Sequence, residues 1–169
     1  MAGQGLGTAG EFTVEISEAT LLRTNGVLRL GDKPFSGVLV ERYPDRHLKS
    51  LAQYVDGRQH GIAESWFSNG ATDEIRHYQH GWKDGEHRGW WSNGKPRFVF
   101  QFKDQVYEGT CQEWYENGQP YRVNHYVAGE EVGRQQLWYE DGKILANYVV
   151  KDGRRYGLTG AMGCISVTK

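Results

Sequence analysis

Hydrophobic and polar positions along this chain alternate in short runs of the kind a β-strand makes, and nearly every run is cut by a glycine. Phe98, Phe100 and Phe102 alternate at period two, and Val14 and Ile16 flank Glu15 in the same way. No stretch sustains the 3.6-residue period of a helix. The runs themselves recur every 24 residues. Taking glycine as position 1, the series is Gly37, Gly61, Gly85, Gly109, Gly133 and Gly157. Position 6 reads Arg42, Trp66, Trp90, Trp114, Trp138, and position 7 reads Tyr43, Phe67, Trp91, Tyr115, Tyr139. Positions 9 and 10 give Asn69-Gly70, Asn93-Gly94, Asn117-Gly118 and Asp141-Gly142. Position 18 reads Tyr54, Tyr78, Phe102, Tyr126, Val150, and position 21 is Gly57, Gly81, Gly129 and Gly153, with Gln105 the one departure. A fixed period of this length marks a repeat architecture.

Each repeat holds one strong turn signal. Asn-Gly or Asp-Gly between aromatic and β-branched residues predicts a two-residue type I′ hairpin. With position 8 paired to 11, position 6 faces 13 and 4 faces 15, while 7, 3 and 1 face 12, 16 and 18. The ring at position 18 then lies across from the glycine at position 1, where no side chain competes for room. The predicted fold class is all-β: an elongated, single-layer antiparallel sheet of tandem 24-residue β-hairpin repeats.

The organisation follows from where the pattern holds. Residues 1–12 (MAGQGLGTAGEF) are Gly/Ala-rich and aperiodic, and read as a flexible tail. Residues 13–36 form a degenerate repeat with a turn at Asn25-Gly26, expected to cap the first end of the sheet. Residues 37–156 hold five repeats; the first replaces the Asn-Gly turn with Tyr43-Pro44-Asp45-Arg46, and the third is the most aromatic. Residues 157–169 open a sixth repeat, abandon it, and read as a closing cap.

Composition narrows the function classes. At 169 residues and net charge −1 the length prior gives one domain, and scattered Lys and Arg argue against nucleic acid. No apolar run approaches the ~20 residues of a membrane helix. The chain therefore reads as soluble and, as written, cytoplasmic, or exported if its N-terminus stands in place of a signal peptide. His77 and His125 share position 17 two repeats apart, on the order of 20 Å at two strands per repeat, too far to share a metal. His77 and His80 are closer but lack a third ligand at suitable spacing, so no metal or cofactor is expected. Cys111 and Cys164 are the only cysteines; in an extended array they lie too far apart to bridge and read as free thiols. No nucleophile elbow, phosphate loop or zinc-protease pattern occurs, and the carboxylates do not recur as a paired set. The chain is not read as an enzyme.

With Gly-x4-Trp-Tyr-x-Asn-Gly-x7-Tyr-x2-Gly in view, the chain resembles the MORN repeat variants, and especially the bacterial proteins known as YwqK-type antitoxins. The likeness covers residues 37–157 well and 21–36 loosely. It implies a curved array of antiparallel hairpins that binds proteins or, in MORN proteins broadly, sometimes membranes, and it brings no catalytic residue. Choline-binding cell-wall modules also repeat Trp-Tyr and glycine, but on a shorter unit. The candidate binding residues are Trp66, Trp90, Trp91, Trp114 and Trp138. One reading has the position-6 tryptophans stacking between hairpins; the sharper reading has them form a partly exposed stripe. Adjacent Trp90 and Trp91 should point to opposite faces, one core-like and one partly exposed. The expected function is a non-catalytic protein-interaction module, antitoxin- or immunity-like, with an unidentified protein partner. The alternatives are a carbohydrate- or cell-surface-binding module using the Trp/Tyr stripe, and membrane-lipid association. The sequence leaves the oligomeric state open.

Overall fold

The computed structural model describes residues 13–15 and 21–160. The expected tail at 1–12 and most of the expected closing cap, 161–169 with Cys164, lie outside them. The chain divides into two compact halves, Met1–Trp82 and Lys83–Lys169. Local contact is how a repeat chain packs, since each repeat rests on its neighbours. Among the described residues there is no helix. Both halves are all-β and built from antiparallel hairpins, as the periodicity predicts.

In the N-terminal half, β1 is Thr13–Glu15, β2 Leu21–Thr24, β3 Val27–Leu30 and β4 Lys33–Pro34. Next come β5 Gly37–Arg42, β6 Leu48–Val55, β7 Arg58–Trp66 and β8 Thr72–Gln79. Strands β5 to β8 pair in chain order, antiparallel throughout. The degenerate repeat does not add a further hairpin to that sheet. Instead β1 covers the edge of β5 in parallel, with Val14 opposite Leu39, and β2–β4 form a separate three-stranded sheet. Short β9 is Trp82–Lys83.

In the C-terminal half, β10 is Gly85–Trp90, β11 Pro96–Lys103, β12 Val106–Tyr107, β13 Gly109–Trp114 and β14 Pro120–Val127. After them come β15 Glu130–Glu131, β16 Gly133–Trp138, β17 Ile144–Lys151 and β18 Arg154–Leu158. The order is β10-β11-β13-β14-β16-β17-β18, with β12 on β11 and β15 on β14.

The register matches the expectation at its base and departs from it at the tip. Gly109 faces Tyr126, Cys111 faces Asn124 and Gln112 faces Val123 (positions 1–18, 3–16 and 4–15). At the tip, however, Trp114 faces Pro120, with a bulge between Glu113 and Trp114. Trp90–Pro96, Trp138–Ile144, Trp66–Thr72 and Arg42–Leu48 repeat this shift. Position 6 thus faces 12 rather than 13. The cause is the turn. Position 7 pairs with 11, as in Trp91 N–H to Lys95 O at 2.8 Å, and the glycine N–H bonds back to the position-7 carbonyl. Only the glycine is left-handed, with φ of 81–93° at Gly70, Gly94, Gly118 and Gly142. This is a three-residue loop, a type I turn followed by a glycine bulge, not the two-residue type I′ turn predicted. The Asx residue serves another purpose. Its Oδ1 accepts the N–H two residues on, at 2.8–3.1 Å, from Asp45 through Asn69, Asn93 and Asn117 to Asp141. The first repeat makes the same turn, with Pro44 suited to its first central position and Arg46 held at φ 71°.

The type I′ turns lie at the other end of each hairpin. Asp56-Gly57, His80-Gly81, Asp104-Gln105, Ala128-Gly129 and Asp152-Gly153 all combine φ of 48–52° with φ of 70–88°. There Gly57 N–H bonds to Phe35 O, Gly81 to Gln59, Gln105 to Lys83 and Gly129 to Tyr107, at 2.7–2.9 Å, so these four turns hang on the repeat before them.

The reason for glycine at position 1 also differs. A Cβ on Gly109 or Gly133 would meet nothing within 4 Å, but φ is +73° and +64°. The requirement is backbone conformation, because the ladder to the preceding repeat bulges there, with residues 108–111 opposite 100–101 and 132–135 opposite 124–125. At the last such bulge the Gln135 amide replaces the missing rungs: Oε1 accepts His125 N–H, and Nε2 donates to His125 O and Val132 O. Its exposure is 0%. The ring over a bare backbone exists elsewhere, at position 5, where a Cβ on Gly89 would sit 2.3 Å from Phe98.

Each half keeps its own core. Val14, Leu28, Phe35 and Tyr54 cluster in the first, with Leu30, Leu39 and Ala52 against them. In the second, Phe98, Phe102, Cys111, Ala146 and Tyr148 are buried together with His87, Asn124 and Gln135.

Candidate binding surface

Alternation along the first strand of each hairpin puts positions 3 and 5 on one face and 2, 4 and 6 on the other. The first face does the aromatic packing. In the C-terminal half Phe98 stacks on Phe100 (ring centres 4.6 Å), Phe102 on Tyr107 (4.7 Å) and Tyr107 on Tyr126 (5.1 Å). His87 lies 4.7 Å from Phe102. This ladder draws on positions 3, 14, 16, 18 and 23, and none of its members is a tryptophan. Position 23 was not singled out in the sequence, because Gln59, Lys83, Tyr107, Glu131 and Arg155 share no chemistry there.

The five candidate tryptophans are all half-buried. The expected split in burial between Trp90 and Trp91 does not occur, since both are half-buried. Their roles differ all the same. The Trp91 indole N–H donates to Trp114 O at 3.1 Å, and the Arg97 guanidinium lies over its ring. Tyr43 and Tyr115 do the same with their hydroxyls, to Trp66 O and Trp138 O at 2.9 Å. Position 7 is thus a clamp: its polar atom fixes the main chain of the next position-6 tryptophan. Asn93 and Asn117 add bonds from their Nδ2 to Glu116 O and Glu140 O. Trp66, Trp114 and Trp138 therefore have fixed backbones and part-exposed indoles.

Positions that alternate onto this face are mixed: in the C-terminal half Val99 and Val123 are half-buried, Arg88 is exposed, and Val127 and Val149 are apolar and exposed, while in the N-terminal half Ile62 is apolar and exposed. In the last strand Tyr156 and Leu158 are 55% and 54% exposed.

Burial pushes the Cys111 thiol up despite its backbone hydrogen bond to Gln101 and the nearby Arg122, so the thiolate a nucleophile needs is disfavoured. Burial likewise raises the hydroxyls of Tyr107, Tyr126 and Tyr148. Glu113 and Arg122 pair across their strands, as do Tyr148 and Arg155 with Glu131. Two buried atoms lack a hydrogen-bond partner among the described residues, Arg76 Nε and Asn124 Oδ1. His60 and His80, a pair not read from the sequence, lie 4.9 Å apart, with His80 N–H donating to His60 Nδ1. No group of three His, Cys, Asp or Glu side chains among the described residues could hold a metal ion.

No curated protein matches the chain. Residues 107–128, from Tyr107 through the Asn117-Gly118 turn to Ala128, match the family described as the MORN repeat variant.

Proposed function

We propose that the chain is a non-catalytic module that binds another protein through the face of its C-terminal half that carries Trp90, Trp114 and Trp138. MORN repeats are in general protein- or membrane-interaction modules, and the matched repeat lies at the centre of the tryptophan row. The observation that supports the reading most is the clamp. A side chain from one repeat fixes the backbone of the next tryptophan, while the ring ladder from Phe98 to Tyr126 is built from other residues. Rigid, part-exposed indoles are the usual anchors of a protein interface. An immunity-like role, in which the bound protein is a toxin, is the narrower form of this reading.

The test uses Trp114→Ala and Trp138→Ala in the full chain. Each should lower stability by no more than about 1–2 kcal/mol, as a half-buried ring does, and weaken partner binding by more than about 1 kcal/mol. A glycan array and liposome flotation run alongside. Retention on sugars or vesicles that is lost in the same variants would replace the protein partner with a carbohydrate or a lipid. Partner binding unaffected by either variant would overturn the surface assignment.

A further inference from the structure

Asn-Gly is the dipeptide most prone to deamidate, because glycine leaves its own nitrogen unhindered. The deprotonated glycine nitrogen attacks the asparagine Cγ; an N–C bond forms, the bond to the side-chain nitrogen breaks, and ammonia leaves. Water then opens the resulting succinimide at either carbonyl, giving aspartate or isoaspartate, with no change of oxidation state. The chain has four such pairs: Asn25-Gly26, Asn69-Gly70, Asn93-Gly94 and Asn117-Gly118.

The fold treats them in two ways. In the three repeat turns the attacking nitrogen is engaged, with Gly70, Gly94 and Gly118 N–H donating to Phe67, Trp91 and Tyr115 O at 2.8–2.9 Å. The carboxamide is held as well. Asn69, Asn93 and Asn117 Oδ1 each accept an N–H at 2.8–3.0 Å, and Asn93 and Asn117 Nδ2 bond to the next repeat. Bringing Cγ to the glycine nitrogen breaks these bonds first. Asn25 and Gly26 form a two-residue loop between Thr24 and Val27, with φ of 51° and 78°. Both are exposed, and a Cβ on Gly26 would meet nothing within 4 Å. Neither the Asn25 side chain nor the Gly26 N–H has a hydrogen bond among the described residues.

We infer that Asn25 is a site of spontaneous deamidation in the folded protein, and that the repeat turns shield the other three Asn-Gly pairs. The position is consequential. Val27 and Leu28 follow directly, Leu28 is buried, and its N–H donates to Gly57 O at 2.8 Å. Isoaspartate at 25 adds a main-chain carbon and a negative charge in the loop that sets this register.

The full chain is incubated in mildly alkaline buffer and mapped by peptide mass, with enzymatic isoaspartate labelling. Replacement of NH2 by OH should appear at Asn25 roughly tenfold or more faster than at Asn69, Asn93 or Asn117, the factor that one to two lost hydrogen bonds correspond to. In concentrated urea the four rates should converge, because the shielding belongs to the fold. The Asn25→Gln variant should lose the fast phase of ammonia release. Equal rates in the folded chain, a slower rate at Asn25, or a ratio unchanged by urea would each overturn the inference.

Discussion

The two rows of turns carry nearly the same dipeptides and use them in opposite ways. At the tip, Asn69-Gly70 or Asp141-Gly142 keeps the Asx residue right-handed and uses its side chain as an acceptor for the N–H two residues on. At the base, Asp56-Gly57 or Asp152-Gly153 makes both residues left-handed. An Asx side chain is dispensable there, since Ala128 and His80 hold the same place. Asx-Gly therefore states that the chain reverses, not how. The choice is made by what each loop leans on. Tip turns are tied forward through Asn93 and Asn117 to the next repeat's carbonyls. Base turns are tied backward through main-chain N–H groups.

The largest expected effect comes from glycines that differ only in surroundings. A Cβ on Gly57 would lie 2.3 Å from Val27 Cγ1 and 2.5 Å from Leu28 O, at φ +75°. Gly57→Ala should cost on the order of 3 kcal/mol, clash and strain together. Gly153 has φ +70° and open space, so Gly153→Ala should cost only the ~1 kcal/mol of the backbone. Urea unfolding of the two variants measures both, and equal midpoints would mean that the base turn does not dock on β3. Next in size is the Asx residue itself. Asn117→Ala loses the acceptor and the forward bond, about 1–2 kcal/mol, and Asn117→Asp should lose about half of that. Asp152→Ala, in the other row, should stay below about 1 kcal/mol. Similar losses at Asn117 and Asp152 would erase the distinction between the rows.

Much of this was legible in the sequence, for a physical reason. Six glycines at one spacing reflect a backbone conformation that must recur in every repeat, so the period was visible. The 1–18, 3–16 and 4–15 pairings, reached from a two-residue turn, hold because the three-residue loop moves the register by one and the bulge beside position 6 moves it back. The one-residue bulge at the tip did not, because Asn117-Gly118 satisfies either turn type and only the tertiary bonds choose. The separate sheet over residues 21–34 was hidden too, since Leu30 falls in register with position 18 without taking part in the hairpin ladder. Of the candidate surface, the tryptophan row was visible as a pattern. The division of labour between Trp91, whose indole clamps Trp114, and Trp90 beside it was not, because a 23-residue hydrogen bond between neighbouring repeats leaves no local trace. Nor was the Phe98–Tyr126 ring ladder, since it changes repeat position as it crosses from one hairpin to the next.

The smallest expected effects are gains, and they test both rows at once. Arg46 takes the glycine place of a tip turn at φ 71°, and Gln105 takes that of a base turn at φ 76°. Side chains there cost energy because Cβ crowds the adjoining backbone, an expense of roughly 1 kcal/mol that glycine avoids. Glycine also gives the unfolded chain more freedom, which offsets part of the gain. Arg46→Gly and Gln105→Gly should each therefore stabilise by about 0.5 kcal/mol, within what paired urea titrations resolve. Gln112→Gly, on extended β13 where no positive φ is needed, is the control and should destabilise by roughly 0.5–1 kcal/mol. If Arg46→Gly destabilised as Gln112→Gly does, the first repeat would not share the tip turn of the others. The same result at Gln105 would remove the third repeat from the base row.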